Sequence, residues 1–295
     1  MKILLFGSQG QVGWELARSL LPLGDVVALA REDADFSQPE SLRAVVRSHQ
    51  PDLIVNAAAY TAVDKAESEE ALAFTINATA PGVLAEEAKR CGALLIHYST
   101  DYVFDGTLDR PYVETDTPNP QSVYGRSKLA GEQAIAATGA DHLILRTSWV
   151  YGARGHNFMR TILRLAAERE VLRIVADQTG APTWSRWIAD ATAHVARSAK
   201  QRVLEGIFSS GVYHLSCSGV TTWYGFASTI VQKHQSVFRA STLSVREIAP
   251  IATIDYPLPA SRPAFSLLDN GKLMQDYQVF SPSWDDALTL CVLGE

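Results

Sequence analysis

The sequence predicts an α/β fold built on a doubly wound parallel sheet, with a smaller C-terminal α/β lobe. Uniformly apolar runs recur along the first half of the chain, as strands buried on both faces require. The first run, Lys2–Phe6, leads into glycines at 7, 10 and 13 and then into an amphipathic helical pattern over residues 14–21. A chain of 295 residues, of which 47% are hydrophobic, supplies enough apolar surface for a large core.

The glycine turn after the first strand indicates a dinucleotide site. Gly7 suits a tight turn, Gly10 lets the backbone approach a pyrophosphate, and Gly13 allows close packing of helix on strand. The first N–H groups of the helix, at Gln11 and Val12, then face the phosphates. The spacing is G-x-x-G-x-x-G instead of the usual G-x-G-x-x-G, so its position between strand and helix carries the prediction of a Rossmann-type fold.

The second strand, over residues 25–30, ends at Arg31. An acid near this strand end binds the adenosine ribose of NAD, whereas an arginine accommodates the 2′-phosphate of NADP. Arg31 therefore favours NADPH, while Glu32 and Asp33 leave NADH open.

A third strand over residues 52–59 ends in small residues, including Ala59, that let a cofactor lie against the backbone. Asp64 and Glu67 have the spacing of a capping box at the start of a long helix. We expect Pro81 to break or kink that helix.

A fourth apolar strand is followed by Thr100 and Asp101, which places both side chains at the rim of the sheet where ligands bind. Tyr124 and Lys128 are four residues apart and share one face of a helix. A lysine beside a tyrosine lowers the pKa of the phenol and makes a proton donor and acceptor that works near neutral pH. A surface pair spaced by one helical turn is the alternative.

Beyond the fifth strand the alternation of strand and helix loosens. Helical patterns cover residues 158–168 and 223–233, and an apolar run covers 172–175. We expect an NAD(P)-binding Rossmann domain over residues 1–150, which later segments rejoin, and a mainly substrate-binding lobe over residues 151–295.

Further sequence motifs are distributed over nearly the whole chain. They are Asn56–Glu67, His97–Phe104, Arg146–Tyr151, Gly180–Thr183 and Ala260–Pro263. Together with Tyr124, Lys128 and the glycine turn, these motifs resemble those of the dTDP-4-dehydrorhamnose reductase family. That family is in the nucleotide-sugar-modifying, extended branch of the short-chain dehydrogenase/reductase superfamily.

The resemblance implies an oxidoreductase that uses NADPH or NADH. Its reaction would be reduction of the C4 ketone of dTDP-4-dehydro-6-deoxy-L-mannose to dTDP-L-rhamnose, the last step of dTDP-rhamnose biosynthesis. Tyr124 would deliver the proton, and Lys128 would hold the nicotinamide ribose and keep Tyr124 acidic. Thr100 would hydrogen-bond the substrate oxygen as charge develops.

The resemblance also implies a set of binding residues. Those expected to bind the cofactor are Gly7, Gly10, Gln11, Val12, Gly13, Arg31, Asp35, Phe36, Ala59, Tyr60, Thr61, Tyr98, Tyr124 and Lys128. Those expected to bind the substrate are Thr100, Asp101, Trp149 and Arg262.

Three of these assignments have alternatives. Asp35 and Phe36 resemble an adenine-contacting pair, but an acidic loop with one buried phenylalanine has the same pattern. Trp149 is either a wall against the sugar or base of the substrate or a core aromatic residue. Arg262 is either a bidentate contact to the diphosphate or an ordinary surface arginine.

Two other functions stay open at this point. Dehydratases of this branch have a glutamate where this chain has Tyr102, which argues against dehydration; an epimerase would keep its cofactor tightly bound. A non-catalytic NADP-binding regulatory subunit, like that of methionine adenosyltransferase, is the second alternative. The presence of Tyr124, Lys128 and Thr100 favours an enzyme.

Composition limits the partners. A net charge of −6 argues against nucleic acid or an anionic membrane as the main partner. Cys91, Cys217 and Cys291 are widely spaced, without a disulfide or zinc pattern, which suits a cytoplasmic protein. A monomer or a homodimer is expected. Some family members bind magnesium through an acid matching Glu15, but Arg186 stands where a second acid is needed, so magnesium is doubtful and no metal ligand is assigned.

Overall fold

Twelve strands and eleven α-helices are formed by the residues that the computed structural model describes, 1–238 and 243–294. The strands are β1 (Lys2–Phe6), β2 (Asp25–Leu29), β3 (Leu53–Asn56), β4 (Leu94–Thr100), β5 (His142–Thr147), β6 (Val150–Tyr151), β7 (Val171–Val175), β8 (Thr179–Gly180), β9 (Thr183–Trp184), β10 (Gly211–His214), β11 (Thr221–Thr222) and β12 (Glu247–Ile251). The helices are α1 (Gln11–Ser19), α2 (Ser41–His49), α3 (Val63–Ala66), α4 (Glu70–Phe74), α5 (Ala80–Cys91), α6 (Val123–Thr138), α7 (Phe158–Glu168), α8 (Ser185–Leu204), α9 (Trp223–Val237), α10 (Gly271–Tyr277) and α11 (Trp284–Leu293). Among these helices, none is both long and apolar enough to cross a bilayer.

The central sheet has the order β2-β1-β3-β4-β5-β10, and every pair in it is parallel. The order reverses between β1 and β3, and such a reversal opens a crevice at the carboxyl ends of the strands. Strand β10 comes from the second half of the chain and pairs with β5. The predicted doubly wound parallel sheet is confirmed.

Apolar side chains cover both faces of this sheet, which explains why its strands are continuous hydrophobic runs. On one face Leu16 of α1 packs in a cluster with Val195 of α8. On the other face Val46 of α2 and Leu84 of α5 belong to a second cluster. All four side chains are fully buried.

A smaller lobe follows β6 and has its own core between α7, α9 and α11. Tyr151, Ile162, Phe226 and Leu288 are fully buried there. The parallel pair β7–β12 packs against α9 in this lobe. The helix predicted over 158–168 is confirmed with the same bounds, and the helix predicted from residue 223 extends to Val237.

The expectation of one long helix starting at Asp64 is wrong. The segment divides into α3, α4, a π-helical turn at Thr75–Thr79 and α5, with Pro81 in the first turn of α5. Backbone N–H groups in the first turn of a helix have no helical acceptor. A proline, which lacks this N–H, therefore costs no hydrogen bond there. Neither Asp64 nor Glu67 caps a helix of its own, because both carboxylates bind distant segments of the chain.

Candidate active site

The glycine turn lies at the carboxyl end of β1, beside the crevice. Gly7 has φ +78°, and a Cβ atom on it would lie 2.6 Å from the amide nitrogen of Ala58. A Cβ atom on Gly13 would lie 2.0 Å from the carbonyl oxygen of Gly7. Helix α1 begins at Gln11, and no side chain caps it at Gly10. The turn therefore leaves a narrow, positively polarised cradle that suits a pyrophosphate.

The end of β2 carries one exposed cation. The Arg31 side chain is 80% exposed. The two acids that follow it are occupied: Glu32 accepts a hydrogen bond from Gln9 at 3.0 Å, and Asp33 accepts one from the amide of Ala30 at 2.9 Å. Arg31 is thus the group at this strand end that is available to a phosphate.

In the Asp35–Phe36 pair the Phe36 ring is buried, whereas the Asp35 side chain is 43% exposed. Phe36 is buried in the core and packs edge-on against Phe6, with ring centroids 5.6 Å apart. Asp35 accepts a hydrogen bond from the amide of Ser37 at 2.9 Å, which lowers the pKa of its carboxyl. The Phe36 ring is therefore in the core and does not offer a stacking face to an adenine.

The segment Ala59–Thr61, directly after β3, is held in place by Asn77. The side chain of Asn77 is buried; its Oδ1 accepts from the amide of Tyr60 at 2.9 Å, and its Nδ2 donates to the carbonyl of Tyr60 at 3.0 Å. Nδ2 also donates to Ser127 Oγ on α6 at 3.0 Å. The Tyr60 hydroxyl turns outward to Glu69, 2.7 Å away. Asn77 thus ties this rim of the crevice to helix α6.

Lys128 lies in the interior, one helical turn after Tyr124. Its Nζ donates to the carbonyl of Tyr98 at 2.6 Å and lies 3.2 Å from Nε2 of His97. Burial lowers the pKa of Lys128 to about 8 and that of His97 well below its ordinary value. Nδ1 of the His97 ring lies 3.0 Å from Asn56 Nδ2. The lysine is therefore fixed by β4, with its ammonium group nearly removed from water.

Tyr124 differs from the prediction in its acidity. Burial raises its pKa to about 12, although its interaction with the Thr100 side chain acts in the opposite direction. Lys128 does not lower it, because its ammonium group is directed at the Tyr98 carbonyl. The ring of Tyr102 packs edge-on against Tyr124 with centroids 5.4 Å apart. At neutral pH Tyr124 is therefore a protonated phenol.

Thr100 and Asp101 end β4 beside this phenol, and both are buried. Thr100 Oγ1 donates to Asp101 Oδ1 at 2.9 Å and accepts from the amide of Tyr102 at 3.2 Å. Burial raises the pKa of Asp101 to about 7. The hydroxyl of Thr100 is thus oriented by its own neighbours at the rim of the sheet.

A cavity of about 790 Å³ opens next to Tyr102, between α7, β7 and the segment after β12. Its wall combines aromatic and aliphatic side chains with charged ones, and the charged ones are Arg169, Arg173, Asp255 and Arg262. Three of these four carry a positive charge, in a chain whose net charge is −6. The cavity is therefore suited to an anionic ligand with an apolar part.

Arg262 is neither free nor an ordinary surface arginine. It forms a two-pronged ion pair with Asp64, with N···O distances of 2.9 and 2.6 Å. Its side chain is 19% exposed and lines the cavity. This ion pair joins α3 to the segment near the end of the chain.

Trp149 is held between two neighbours. Its indole stacks on that of Trp223, with centroids 3.5 Å apart and an interplanar angle of 4°. A Cβ atom on Gly180 would lie 2.5 Å from the Trp149 ring, and Trp149 itself has φ +47°. Trp223 and Phe158 line the cavity, and Trp223 donates to Gln178 at 3.1 Å. The sequence pointed to Trp149 and missed Trp223, the indole that faces the cavity.

Comparison with known proteins identifies the family of this chain. The family described as RmlD substrate binding domain matches residues 1–293. A dTDP-4-dehydrorhamnose reductase from Burkholderia thailandensis is 56% identical over 292 residues, which cover 99% of this chain and 98% of that protein. The chain belongs to the dTDP-4-dehydrorhamnose reductase family. The predicted resemblance is confirmed.

Two further members of the dTDP-4-dehydrorhamnose reductase family show the same full-length match. The protein from Escherichia coli K12 is 48% identical over 288 residues, covering 96% of this chain and 94% of that protein. The crystal structure from Bacillus anthracis, in complex with NADP, has a TM-score of 0.88 at 32% identity. It covers 100% of this chain and 99% of that chain.

Glu15 and Arg186, the two positions that bear on the magnesium expectation, both have partners within this chain. Glu15 lies 3.7 Å from Arg18 in an ion pair. Arg186 lies over the ring of Trp184, 5.8 Å from its centroid. Over residues 1–238 and 243–294, no group of three or more His, Cys, Asp or Glu side chains could hold a metal ion.

Proposed function

We propose that this protein is a cytoplasmic reductase that converts dTDP-4-dehydro-6-deoxy-L-mannose to dTDP-L-rhamnose with NADPH or NADH. The observation that carries the proposal is the constellation at the end of β4: the phenol of Tyr124 interacts with Thr100, and Lys128 is anchored one helical turn away on the carbonyl of Tyr98. The family relatives with this name, at up to 56% identity, support it.

Tyr124 is the proton donor. Because its pKa is raised to about 12, it is protonated at neutral pH, which is the state that reduction of a ketone requires. The oxygen of the reduced carbonyl is a stronger base than a phenolate, so the proton passes from Tyr124 to that oxygen. The Thr100 hydroxyl lies beside the phenol, and its one proton, which is donated to Asp101 in the free protein, turns to the carbonyl oxygen to stabilise the negative charge that develops there.

Lys128 holds the ribose of the nicotinamide, the role that the family resemblance implies for it. Its pKa of about 8 keeps it largely cationic at neutral pH. The contacts with Tyr98 and His97 fix the ammonium group one helical turn from Tyr124, where it can donate a hydrogen bond to that ribose.

The cradle at the glycine turn fits a nicotinamide dinucleotide. Gly7, Gly13 and the uncapped start of α1 leave room and N–H donors for a pyrophosphate, as described above. We assign the residues after β3 to its ribose and Arg31 to the 2′-phosphate of NADPH. When bound, the reduced nicotinamide supplies the hydride.

The sugar nucleotide occupies the cavity beside Tyr102. Arg262 binds its diphosphate, and the apolar wall that includes Phe158 and Trp223 contacts its base or sugar. In this arrangement Trp149 supports Trp223 from behind. The first half of the chain thus binds the dinucleotide and the smaller lobe binds the substrate.

Spectrophotometry with purified protein tests this function. We expect oxidation of NADPH or NADH only when the 4-keto sugar nucleotide is supplied, and a fall in kcat of about 10²- to 10⁴-fold in Tyr124→Phe. Tyr277→Phe, which alters a buried tyrosine of the sheet core, is the matched control and keeps its rate.

Three outcomes would contradict the proposal. Turnover by Tyr124→Phe at the wild-type rate would exclude that phenol as donor. A tightly bound cofactor that is regenerated in each cycle would indicate an epimerase. A chain that binds NADPH without any turnover of the keto-sugar, and forms a stable complex with a synthetase, would indicate a regulatory subunit.

A further inference from the structure

The carboxylate of Asp64 closes around one end of the Arg262 guanidinium. Its Oδ1 accepts from Nη1 at 2.9 Å and its Oδ2 accepts from Nη2 at 2.6 Å. The carbonyl of Ala260 accepts from Nη1 at 2.8 Å, and the amide of Ala260 donates to Asp64 Oδ1 at 3.2 Å. The side chain of Arg262 is therefore held from two directions by groups 198 and two residues away.

The remaining donors of Arg262 form a fork. A guanidinium has five N–H donors, of which Asp64 and Ala260 take three. Within the part of the chain that the structure describes, the Nε–H and one Nη2–H have no protein acceptor. These two lie on one edge of the planar group, which is the geometry that binds two oxygens of a phosphate.

Arg262 lines the cavity, and two of its N–H donors have no acceptor among the described residues. Ala260, whose carbonyl accepts from Nη1, lines the same cavity, whereas Asp64 is not part of the lining formed by the described residues. The other two cavity arginines, Arg169 and Arg173, are exposed, and neither forms an ion pair with a described residue. Of the three cations, Arg262 is the one whose direction is fixed before a ligand arrives.

Arg262 also lies near Tyr102, the cavity residue that packs against the proposed proton donor. It and Tyr102 both line the cavity, and their charges act on each other's ionisation. The Tyr102 ring in turn packs against Tyr124. An anion bound at the free edge of Arg262 would therefore lie one aromatic ring away from the proton donor.

We propose, on the basis of the proposed function, that Asp64 is a positioning residue for substrate binding, which holds Arg262 so that its free edge grips the diphosphate of the sugar nucleotide. Asp64 does not touch the substrate. It holds the Arg262 side chain in one orientation before the ligand arrives. Without Asp64, the Arg262 side chain would lose its rotational freedom when the ligand binds, and that loss weakens binding. The ion pair also lowers the pKa of Asp64, so this carboxylate stays charged throughout the neutral range.

A double-mutant cycle read by calorimetric titration with dTDP tests this role. We expect Asp64→Ala and Arg262→Ala each to weaken dTDP binding about tenfold or more, and the double variant to bind no more weakly than Arg262→Ala, because the first side chain acts only through the second. Asp64→Asn keeps one oxygen acceptor for Arg262 and should lie between wild type and Asp64→Ala. The affinity for NADPH should change less than about twofold in all of them, which a general loss of structure would not allow.

Pairing Asp64→Ala with Arg173→Ala gives the matched control, since Arg173 lines the same cavity without contacting Asp64. The effects of those two substitutions should add. The positioning role is overturned if Asp64→Ala leaves dTDP affinity unchanged, if it tightens binding, or if its effect adds to that of Arg262→Ala. Wild-type protein that fails to bind dTDP at all would refute the proposed function itself, so the two failures are distinguishable.

Discussion

Glu67, in the turn after α3, accepts a hydrogen bond at 2.9 Å from the amide of Val123, the first residue of α6. That amide is one of the N–H groups at the start of α6 that lack a helical acceptor. A carboxylate there also interacts favourably with the positive end of the helix. Tyr124 is the next residue, so Glu67 sets the position of the proposed proton donor.

Substitution of Glu67 by alanine should therefore affect both stability and rate. We expect the free energy of unfolding to fall by about 1–2 kcal/mol, because an N-terminal amide of α6 loses its acceptor. We also expect kcat to fall more than KM changes, since the shift occurs beside Tyr124. Denaturant unfolding and steady-state kinetics measure the two effects. Glu70→Ala is the control, because it removes an exposed 3.9 Å ion pair with Arg126 and an acid in the first turn of α4; it should lower the free energy of unfolding by less than about 1 kcal/mol and leave kcat unchanged.

Asp101 should make the protein less stable as the pH rises. Its pKa is about 7 in the folded chain, above the ordinary value of 3.8, so the folded state retains a proton that the unfolded state releases. The free energy of unfolding therefore decreases between about pH 4 and pH 7 and then levels off. Burial is the cause, because it disfavours the ionised carboxylate.

Asp101→Asn removes this titration. Relative to wild type, the variant should gain up to about 4 kcal/mol in unfolding free energy between about pH 4 and pH 8, because each tenfold change in proton affinity corresponds to about 1.4 kcal/mol. Urea unfolding at a series of pH values gives the difference directly. A difference that stays flat across this range would mean that Asp101 is ionised in the folded protein.

Arg31 should determine the choice of coenzyme. Its exposed guanidinium follows β2, and its neighbours Glu32 and Asp33 are engaged in other hydrogen bonds. We expect Arg31→Ala to raise KM for NADPH about tenfold and to leave KM for NADH within about twofold, because one charge-assisted hydrogen bond to the 2′-phosphate is lost. Steady-state kinetics with both coenzymes measure this. Equal changes for both would contradict it, and Arg164→Ala, an exposed arginine on α7, is the control.

The sequence predicted the central fold well because the signals for it are local. An apolar run, a glycine at the turn and a helical period are all contained within short windows, and they recur for each strand of the sheet. The same is true of the helix over residues 158–168. The resemblance to the family then supplied candidate residues that no local pattern could distinguish, such as Thr61 and Trp149.

The contacts that complete the site depend on partners far along the chain. Asp64 and Glu67 have the spacing of a capping box, yet their partners are Arg262 and Val123. The spacing of Tyr124 and Lys128 shows that they share a helix face, but not that burial governs the acidity of the phenol. Local patterns give the direction of a side chain along its own element, whereas its neighbours and its solvent exposure are set by the assembled chain.

Strand β10 has a consequence for synthesis of the protein. It covers β5, all six of whose residues are buried, but it lies more than sixty residues later in the chain. While a ribosome is translating that interval, β5 is the open edge of an apolar sheet, and open edges of this kind recruit other chains. We therefore expect a chain that ends before residues 211–214 to aggregate more readily than the full chain.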